Sequence, residues 1–191
     1  AEDDLTNEDL IPEEDVVVTL SNEGYVKNQS LDEYRSQRRG GRGKVATRVK
    51  EEDFVKNLLI ANSHATILCF SSSGKVYWLK TYKIPQASRT SRGRPIINLL
   101  PLTKGEQITA ILPLEKTTTH KFIFMATKRG KVKKVAITEF AKPRNSGKIA
   151  LDLAEGDTLI SAGLTSGDND IMLIASSGKA IRFSESDVRV M

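Results

Sequence analysis

Three stretches of the chain bring glycine and cationic side chains together. The first runs Arg35-Ser36-Gln37-Arg38-Arg39-Gly40-Gly41-Arg42-Gly43-Lys44, with Arg48 close behind. The second is Arg89-Thr90-Ser91-Arg92-Gly93-Arg94, and the third is Lys142-Pro143-Arg144-Asn145-Ser146-Gly147-Lys148. Glycine carries no side chain, so neighbouring backbone N–H groups can approach a phosphate and form an anion-binding concavity. Arginine adds a planar fork that meets phosphate oxygens bidentately and stays charged at any working pH. A lone Arg-Gly tract is more often a flexible, solvated connection. Recurrence is what points to a ligand: Gly43-Lys44, Gly93-Arg94 and Gly147-Lys148 occupy corresponding places of a repeat. Loops of this kind would form a positive belt that reads backbone charge and shape rather than base sequence.

The charge balance agrees with a polyanionic partner but does not require one. The 191 residues hold 29 Lys and Arg against 24 Asp and Glu, a net +5. Eight of the acids (Glu2, Asp3, Asp4, Glu8, Asp9, Glu13, Glu14, Asp15) fall in the first 15 residues, where no basic residue stands. The remaining sixteen acids face all 29 cations, so residues 16–191 carry +13. A solvated, lysine-rich surface would have the same composition.

Other chemistries find no support. The acidic start is unlike a signal peptide. The longest apolar runs, residues 65–70 and 171–175, are strand-sized and too short for a bilayer, so no membrane partner is expected. The single cysteine, Cys69, sits inside an apolar run and reads as a small buried hydrophobe in a reducing cytoplasm. Residues 40–44 superficially match a phosphate-binding P-loop, but Arg38 takes the place of its first glycine and Val45 that of its Ser or Thr. His64 and His120 have no Cys or acidic partner at metal-ligand spacing. No Ser-His-Asp or paired-carboxylate constellation occurs, so neither a catalytic residue nor a cofactor is expected here. Asn28-Gln29-Ser30 matches a glycosylation acceptor that has no meaning in the cytoplasm. Tyr25, Tyr34, Tyr77 and Tyr82 lie in strand-like patterns and read as packing residues, and Pro95 and Pro143 as conformational punctuation.

The elements that would position the basic loops are repeated β-hairpins. Residues 16–27, 65–80, 121–135 and 171–183 each show an apolar run, a polar turn with glycine, and a second half-apolar run. The turn glycines, Gly24, Gly74, Gly130 and Gly178, are 50, 56 and 48 residues apart. Val18, Leu68, Phe124 and Met172 stand six residues before them. Val26, Val76, Val132 and Ala180 stand two residues after, and Tyr34, Ile84, Phe140 and Val188 ten after. A second element recurs between the hairpins: Asp53, Glu106 and Asp157 each open a stretch leading into a short apolar strand at residues 58–61, 108–112 and 159–164. Each unit of about fifty residues thus holds about four strands, the size of a propeller blade. The Trp-Asp signature of one propeller class is missing, since Trp78 is the sole tryptophan. No long helical period appears, and residues 7–15 read as a short helix or irregular linker. The expected architecture is all-β: an acidic linker over residues 1–14, then a blade array over residues 15–191.

The run Gln37-Arg38-Arg39-Gly40-Gly41-Arg42-Gly43 resembles, at every place, the seven-residue box of the C-terminal domains of bacterial DNA gyrase A subunits. The resemblance extends from about Leu10 onward, through Gly24-Tyr25-Val26-Lys27, Arg92-Gly93-Arg94-Pro95-Ile96, Thr138-Glu139-Phe140 and Leu164-Thr165-Ser166-Gly167. It implies a β-pinwheel, a propeller-like disc of six blades that exchange strands with their neighbours. It also implies that double-stranded DNA wraps around the basic rim, so that ATP-driven strand passage introduces negative supercoils, with the box required for wrapping. By the same resemblance the cleavage tyrosine, ATP and Mg belong to other parts of a cytoplasmic, nucleoid-associated enzyme, which contains a second A subunit together with a gyrase B subunit. The implied DNA-binding residues are Gln37, Arg38, Arg39, Gly40, Gly41, Arg42 and Gly43. Lys44, Arg92, Arg94, Arg144 and Lys148 are further candidates. Two alternatives stay open: the related topoisomerase IV C-terminal domain, whose blades lack an intact box, and a propeller-type protein-interaction module. Four units rather than six lead us to expect open strand edges, no closed disc, and a last hairpin that is poorly ordered or paired with another molecule.

Overall fold

Four antiparallel hairpins form where the turn glycines stand. The computed structural model describes residues 8–39, 53–116 and 118–191. Within them the hairpins are β1 (Asp15–Ser21) with β2 (Tyr25–Ser30), β4 (Thr66–Ser71) with β5 (Lys75–Lys80), β8 (Phe122–Thr127) with β9 (Val132–Ala136), and β12 (Asp170–Ile174) with β13 (Ala180–Ser184). The four turn glycines have φ of +87°, +81°, +87° and +83°, a left-handed conformation that costs other residues about 1–2 kcal/mol.

The remaining strands lie further along the chain than the hairpins they complete: the strand beside each first hairpin strand comes from the end of the same unit, and the strand beside the second comes from the next unit. β3 (Val55–Asn62), which precedes the second hairpin, pairs with β1, and β6 (Arg94–Pro95), which follows it, pairs with β2. One unit on, β7 (Ile108–Leu114) pairs with β4 and β10 (Lys148–Ile149) pairs with β5. β11 (Leu159–Thr165) pairs with β8, and Val190 makes a single parallel bridge to Lys134 of β9. The sheet orders are therefore β3-β1-β2-β6, β10-β5-β4-β7, β11-β8-β9 and β12-β13. The partial array of about four blades expected from the sequence is present: among the described residues two sheets have four strands, the third has three and the fourth two. No sheet of the described residues joins the fourth unit to the first.

Packing follows the same exchange. β4 reads as an unbroken apolar run because both of its faces are buried. Ile67 and Cys69 enter a core shared with Val16, Val18 and Leu20 of the first hairpin. Leu68 and Phe70 enter a second core with Ile123, Met125 and Phe140. A side-chain donor four residues after each of the first three turn glycines then reaches a carbonyl of the next unit. Asn28 Nδ2 donates to Ile84 O at 2.7 Å, Trp78 Nε1 to Phe140 O at 2.9 Å, and Lys134 Nζ to Glu185 O at 3.0 Å. These carbonyls sit in or beside the 3₁₀ turns Thr81–Lys83, Ile137–Phe140 and Glu185–Asp187. In the first unit the place of those turns is taken by a helix, α1 (Leu31–Arg39), which packs on β1 and β2. Sequence reading missed this helix; its signals are Ser30 before it and Asp32 and Glu33 in its first turn, both favoured at a helix N-terminus. Residues 8–14, the other helical candidate, are turn and extended chain.

The recurring acids anchor the first three hairpin turns to the chain that leads into the strand before the next hairpin. Ser21, Ser71 and Thr127, three residues before the turn glycines, accept hydrogen bonds from Tyr25, Lys75 and Lys131 N–H at 3.1, 3.3 and 3.1 Å. The acids receive the same turns: Asp53 accepts from Glu23 N–H at 3.0 Å and Asp157 from Arg129 N–H at 3.0 Å. Glu106 accepts from the Ser71 and Ser73 hydroxyls at 2.5 Å each and from the Tyr77 hydroxyl at 2.8 Å. Burial alone would raise the Glu106 pKa, but these donors and Thr103 N–H outweigh it and hold the carboxyl at about 2. Burial and the same carboxylate push the Tyr77 phenol up to about 12.

Two tests follow. Gly74→Ala must fit a Cβ 2.3 Å from the Leu151 carbonyl oxygen, whereas Gly130→Ala, with nearly the same φ, meets nothing within 4 Å. In urea unfolding the second variant should lose about 1–2 kcal/mol and the first clearly more. Because the Glu106 pKa is depressed on folding, its contribution is whole above 4.5 and fades as pH falls toward 2. Stability of Glu106→Gln measured across that window should show a pH slope shallower than the parent's, by up to about one proton.

Candidate nucleic-acid interface

The second basic loop, residues 86–93, is moulded onto the first hairpin. Lys27 Nζ donates to the carbonyls of Ser88, Arg89 and Ser91 at 3.3, 3.1 and 2.9 Å. Asn28 and residues 85–87 exchange backbone bonds at 3.1 Å. Arg92 stacks over the Tyr25 ring, 4.2 Å from its centroid, pairs with Glu23, and lies 3.6 Å from Asp53. Burial raises the Asp53 pKa, but the Glu23 N–H, the Ser21 hydroxyl and the Arg92 charge more than reverse this and keep it ionised. Arg92 is thus already neutralised, although half of its side chain stays exposed. Arg94, in edge strand β6, is exposed, and no ion pair to it forms among the described residues.

The third loop, residues 141–147, repeats the plan with other contacts. Lys75 Nζ donates to Ser146 O at 3.3 Å. Lys148, in edge strand β10, donates to Glu139 O at 2.9 Å and lies 3.6 Å from the Glu139 carboxylate. Arg144 and Lys142 are exposed, and Arg144 stands with Lys80, Lys83 and Trp78 around a cleft of about 260 Å³. Of the five candidates outside the box, the four that are described therefore divide into two tied cations, Arg92 and Lys148, and two exposed ones, Arg94 and Arg144.

The loop glycines have a different reason from the one their composition suggested. A Cβ at Gly93 would come within 2.3 Å of Val26 O, and one at Gly147 within 2.8 Å of the Tyr77 ring. Both have positive φ, +86° and +78°. They let an edge strand close on the preceding blade, whether or not an anion is near. Of the box, Gln37, Arg38 and Arg39 form the last residues of α1, so this part is helix rather than loop. Gly40, Gly41, Arg42, Gly43 and Lys44 lie outside the described residues.

Sequence reading missed three of the groups that shape these loops, Lys27, Glu23 and Tyr25, and marked the fourth, Asp53, only as a recurring acid ahead of a strand. Their one legible trace is the alternation of Tyr25 and Lys27 beside the turn glycine, which reads as an ordinary strand. His64, which has no acidic partner at metal-ligand spacing along the chain, meets residues some fifty positions away: its Nε2 is 2.6 Å from Ile11 O and its Nδ1 3.5 Å from Glu13. Ser63 binds Pro12 O and Glu14, and Lys80 lies 3.3 Å from Glu8, so the acidic segment is docked on the second unit from residue 8 onward. Tyr34 and Tyr82, read as strand residues, lie in α1 and a 3₁₀ turn. Cys69 is buried, its thiol pKa pushed up to about 12 by that burial. Among the described residues no three His, Cys, Asp or Glu side chains converge on a metal site, and no helix is long and apolar enough to cross a membrane.

Comparison with known proteins accounts for the whole array. The family described as DNA gyrase C-terminal domain, beta-propeller, matches residues 15–62, 65–115, 121–166 and 169–191, one match per unit. The chain is 59% identical over 191 residues to the DNA gyrase A protein of Haemophilus influenzae, covering 100% of this chain and 22% of that protein. It is 56% identical over 188 residues to the gyrase A protein of Escherichia coli K12, covering 98% and 22%. It therefore spans about a fifth of the length of the curated relatives it matches. The crystal structure of the C-terminal domain of DNA topoisomerase IV superposes with a TM-score of 0.75 at 26% identity, over 95% of this chain and 55% of that one. The structure of the DNA gyrase A C-terminal domain superposes with 0.68 at 26% identity, over 93% and 57%. The strand-exchanging blades are those of a β-pinwheel, and the chain belongs to the DNA gyrase C-terminal domain, beta-propeller family.

Proposed function

We propose that this domain binds double-stranded DNA along its basic edge and wraps it on behalf of gyrase A. In that setting it directs the negative supercoiling carried out by an ATP-driven type II topoisomerase, with gyrase B and a second gyrase A as partners and residues 1–14 leading from the cleavage domain. The whole acts in the cytoplasm on the nucleoid. ATP, Mg and the cleavage chemistry belong to other parts of that enzyme, and this chain contributes charge and shape. The observation that carries the reading is the recurrence of a cation in the edge strand of successive blades, Arg94 in β6 and Lys148 in β10. A rigid strand repeated at blade spacing suits the regular spacing of phosphates along a duplex. Exposed Arg94 and Arg144 can meet phosphate directly, while Arg92 and Lys148 reach it only by leaving carboxylates. The intact box, with Arg38, Arg39 and Arg42, favours gyrase over topoisomerase IV, as does identity of 55–59% to gyrase A proteins.

Salt titration of duplex binding separates these roles. Arg94→Ala and Arg144→Ala should each lower the log–log salt slope by about 1, with melting temperature unchanged. Arg92→Ala should instead cost stability, below about 1 kcal/mol because the pair is half exposed. A binding curve indifferent to salt would remove DNA as the ligand. Wrapping is read by ligating nicked circular DNA with the chain present. A shift in linking number that disappears in the Arg38→Ala, Arg39→Ala, Arg42→Ala triple variant is the expected result. Binding without any shift in the parent chain would leave a basic array that does not wrap.

A further inference from the structure

From the Lys27 cradle we infer that this residue is a positioning residue for the DNA interface: it does not touch phosphate but fixes the loop that does. The inference rests on the DNA reading above. The Lys27 ammonium faces three carbonyl oxygens, of Ser88, Arg89 and Ser91, within 3.3 Å. Those three carbonyls use all three of its donors, so no N–H remains for a phosphate oxygen. The loop they belong to has no strand of its own between Lys80 and β6, and Ser91 N–H donating to Ser88 O at 3.1 Å is its one internal backbone bond across residues 88–91. Without Lys27 the carbonyls would turn to water, and residues 88–91 would lose their tie to the first blade. The far end of the loop is held separately, by Arg92 against Glu23, Asp53 and Tyr25 and by Gly93 against Val26.

Both ends being fixed, Arg89 is presented, beside the ladder-held Arg94, from a loop whose ordering entropy has already been lost on folding. Preorganisation of that kind strengthens binding without adding a contact. In the next unit Tyr77 stands where Lys27 does, three residues after the turn glycine, and its hydroxyl donates to Glu106 at 2.8 Å, so the cradle belongs to the junction between the first two blades.

Lys27→Met keeps the aliphatic stem and removes the donors. In this variant, trypsin should cut after Arg89 and Arg92 on the order of tenfold faster, with the hairpin core still folded by circular dichroism. Duplex affinity should fall several-fold. In an Arg89→Ala, Arg94→Ala background, Lys27→Met should lower affinity no further, because Lys27 acts through the loop that carries Arg89. Lys27→Gln, uncharged but still able to donate, should fall between Lys27→Met and the parent in loop protection, and serves as the readout if Lys27→Met does not fold. Unchanged loop cleavage in these variants, or a full additive loss of affinity in the double-alanine background, would overturn the assignment and make Lys27 an ordinary phosphate contact or a bystander. If the parent chain fails to bind duplex, the DNA reading falls, while the cleavage rates still decide whether Lys27 orders the loop.

Discussion

Everything in this domain depends on hairpins that do not own their edge strands. A two-stranded ribbon is marginal in water and exposes unpaired N–H and C=O groups on both sides. Here the hairpins are completed by strands that flank the next one, so backbone hydrogen bonding itself ties successive units together. The acid clamps and the donors four residues after the turn glycines bridge the same junctions. Folding of one blade is therefore coupled to folding of its successor, as in other arrays where a unit cannot bury its faces alone.

The basic edge is a by-product of that coupling. To reach the preceding blade, the chain after each hairpin must lie flat against its second strand, which only glycine permits at Gly93 and Gly147. The residue that follows, Arg94 or Lys148, is then carried at a fixed place on the outer border of a sheet. Its register is set by ladder bonds to Val26 or Val76 rather than by a mobile loop. Glycine and cation recur together because one makes the strand close and the other rides on it. Not every cation on this border is free: Arg92 and Lys148 are held by carboxylates, which spreads the charge and fixes side chains whose entropy would otherwise oppose binding.

Much of this was legible because the repeat is strict. Positions at fixed offsets from Gly24, Gly74, Gly130 and Gly178 located the hairpins, and the recurring acids marked the strands between them. The partners of those acids were not legible, since Asp53, Glu106 and Asp157 reach backward to serine and threonine residues some 30 positions earlier. Helix α1 was missed because nine residues give too little period to detect, and its arginines suggested an open loop. The purpose of Gly93 was misread for a related reason. Composition shows that a side chain is absent but not what stands where it would be, and here that is the Val26 carbonyl.

The gradient of completion along the chain shows how much the exchange contributes. The second hairpin has both partners, and its strands are buried on both faces between two cores. The fourth has neither partner among the described residues, and Met172, Ile174 and Ile181 are 60%, 71% and 60% exposed. Its turn also lacks the clamp, because Ala175 stands where the others carry serine or threonine. Contacts to the third unit fix it: Phe183 packs on Phe124 with ring centroids 6.0 Å apart, and Glu185, fully buried, accepts from Gly167 and Asn169 N–H at 2.6 and 2.8 Å and faces the buried Lys134 ammonium at 4.0 Å. Burial raises the Glu185 pKa, yet those donors and that charge outweigh it and keep the carboxylate ionised. A buried ion pair of this kind contributes little net stability but loses much if either partner is removed, so it specifies how the last hairpin docks rather than strengthening it. Where the backbone ladder is reduced to the single Val190–Lys134 bridge, the buried pair and the Phe124–Phe183 contact hold the orientation.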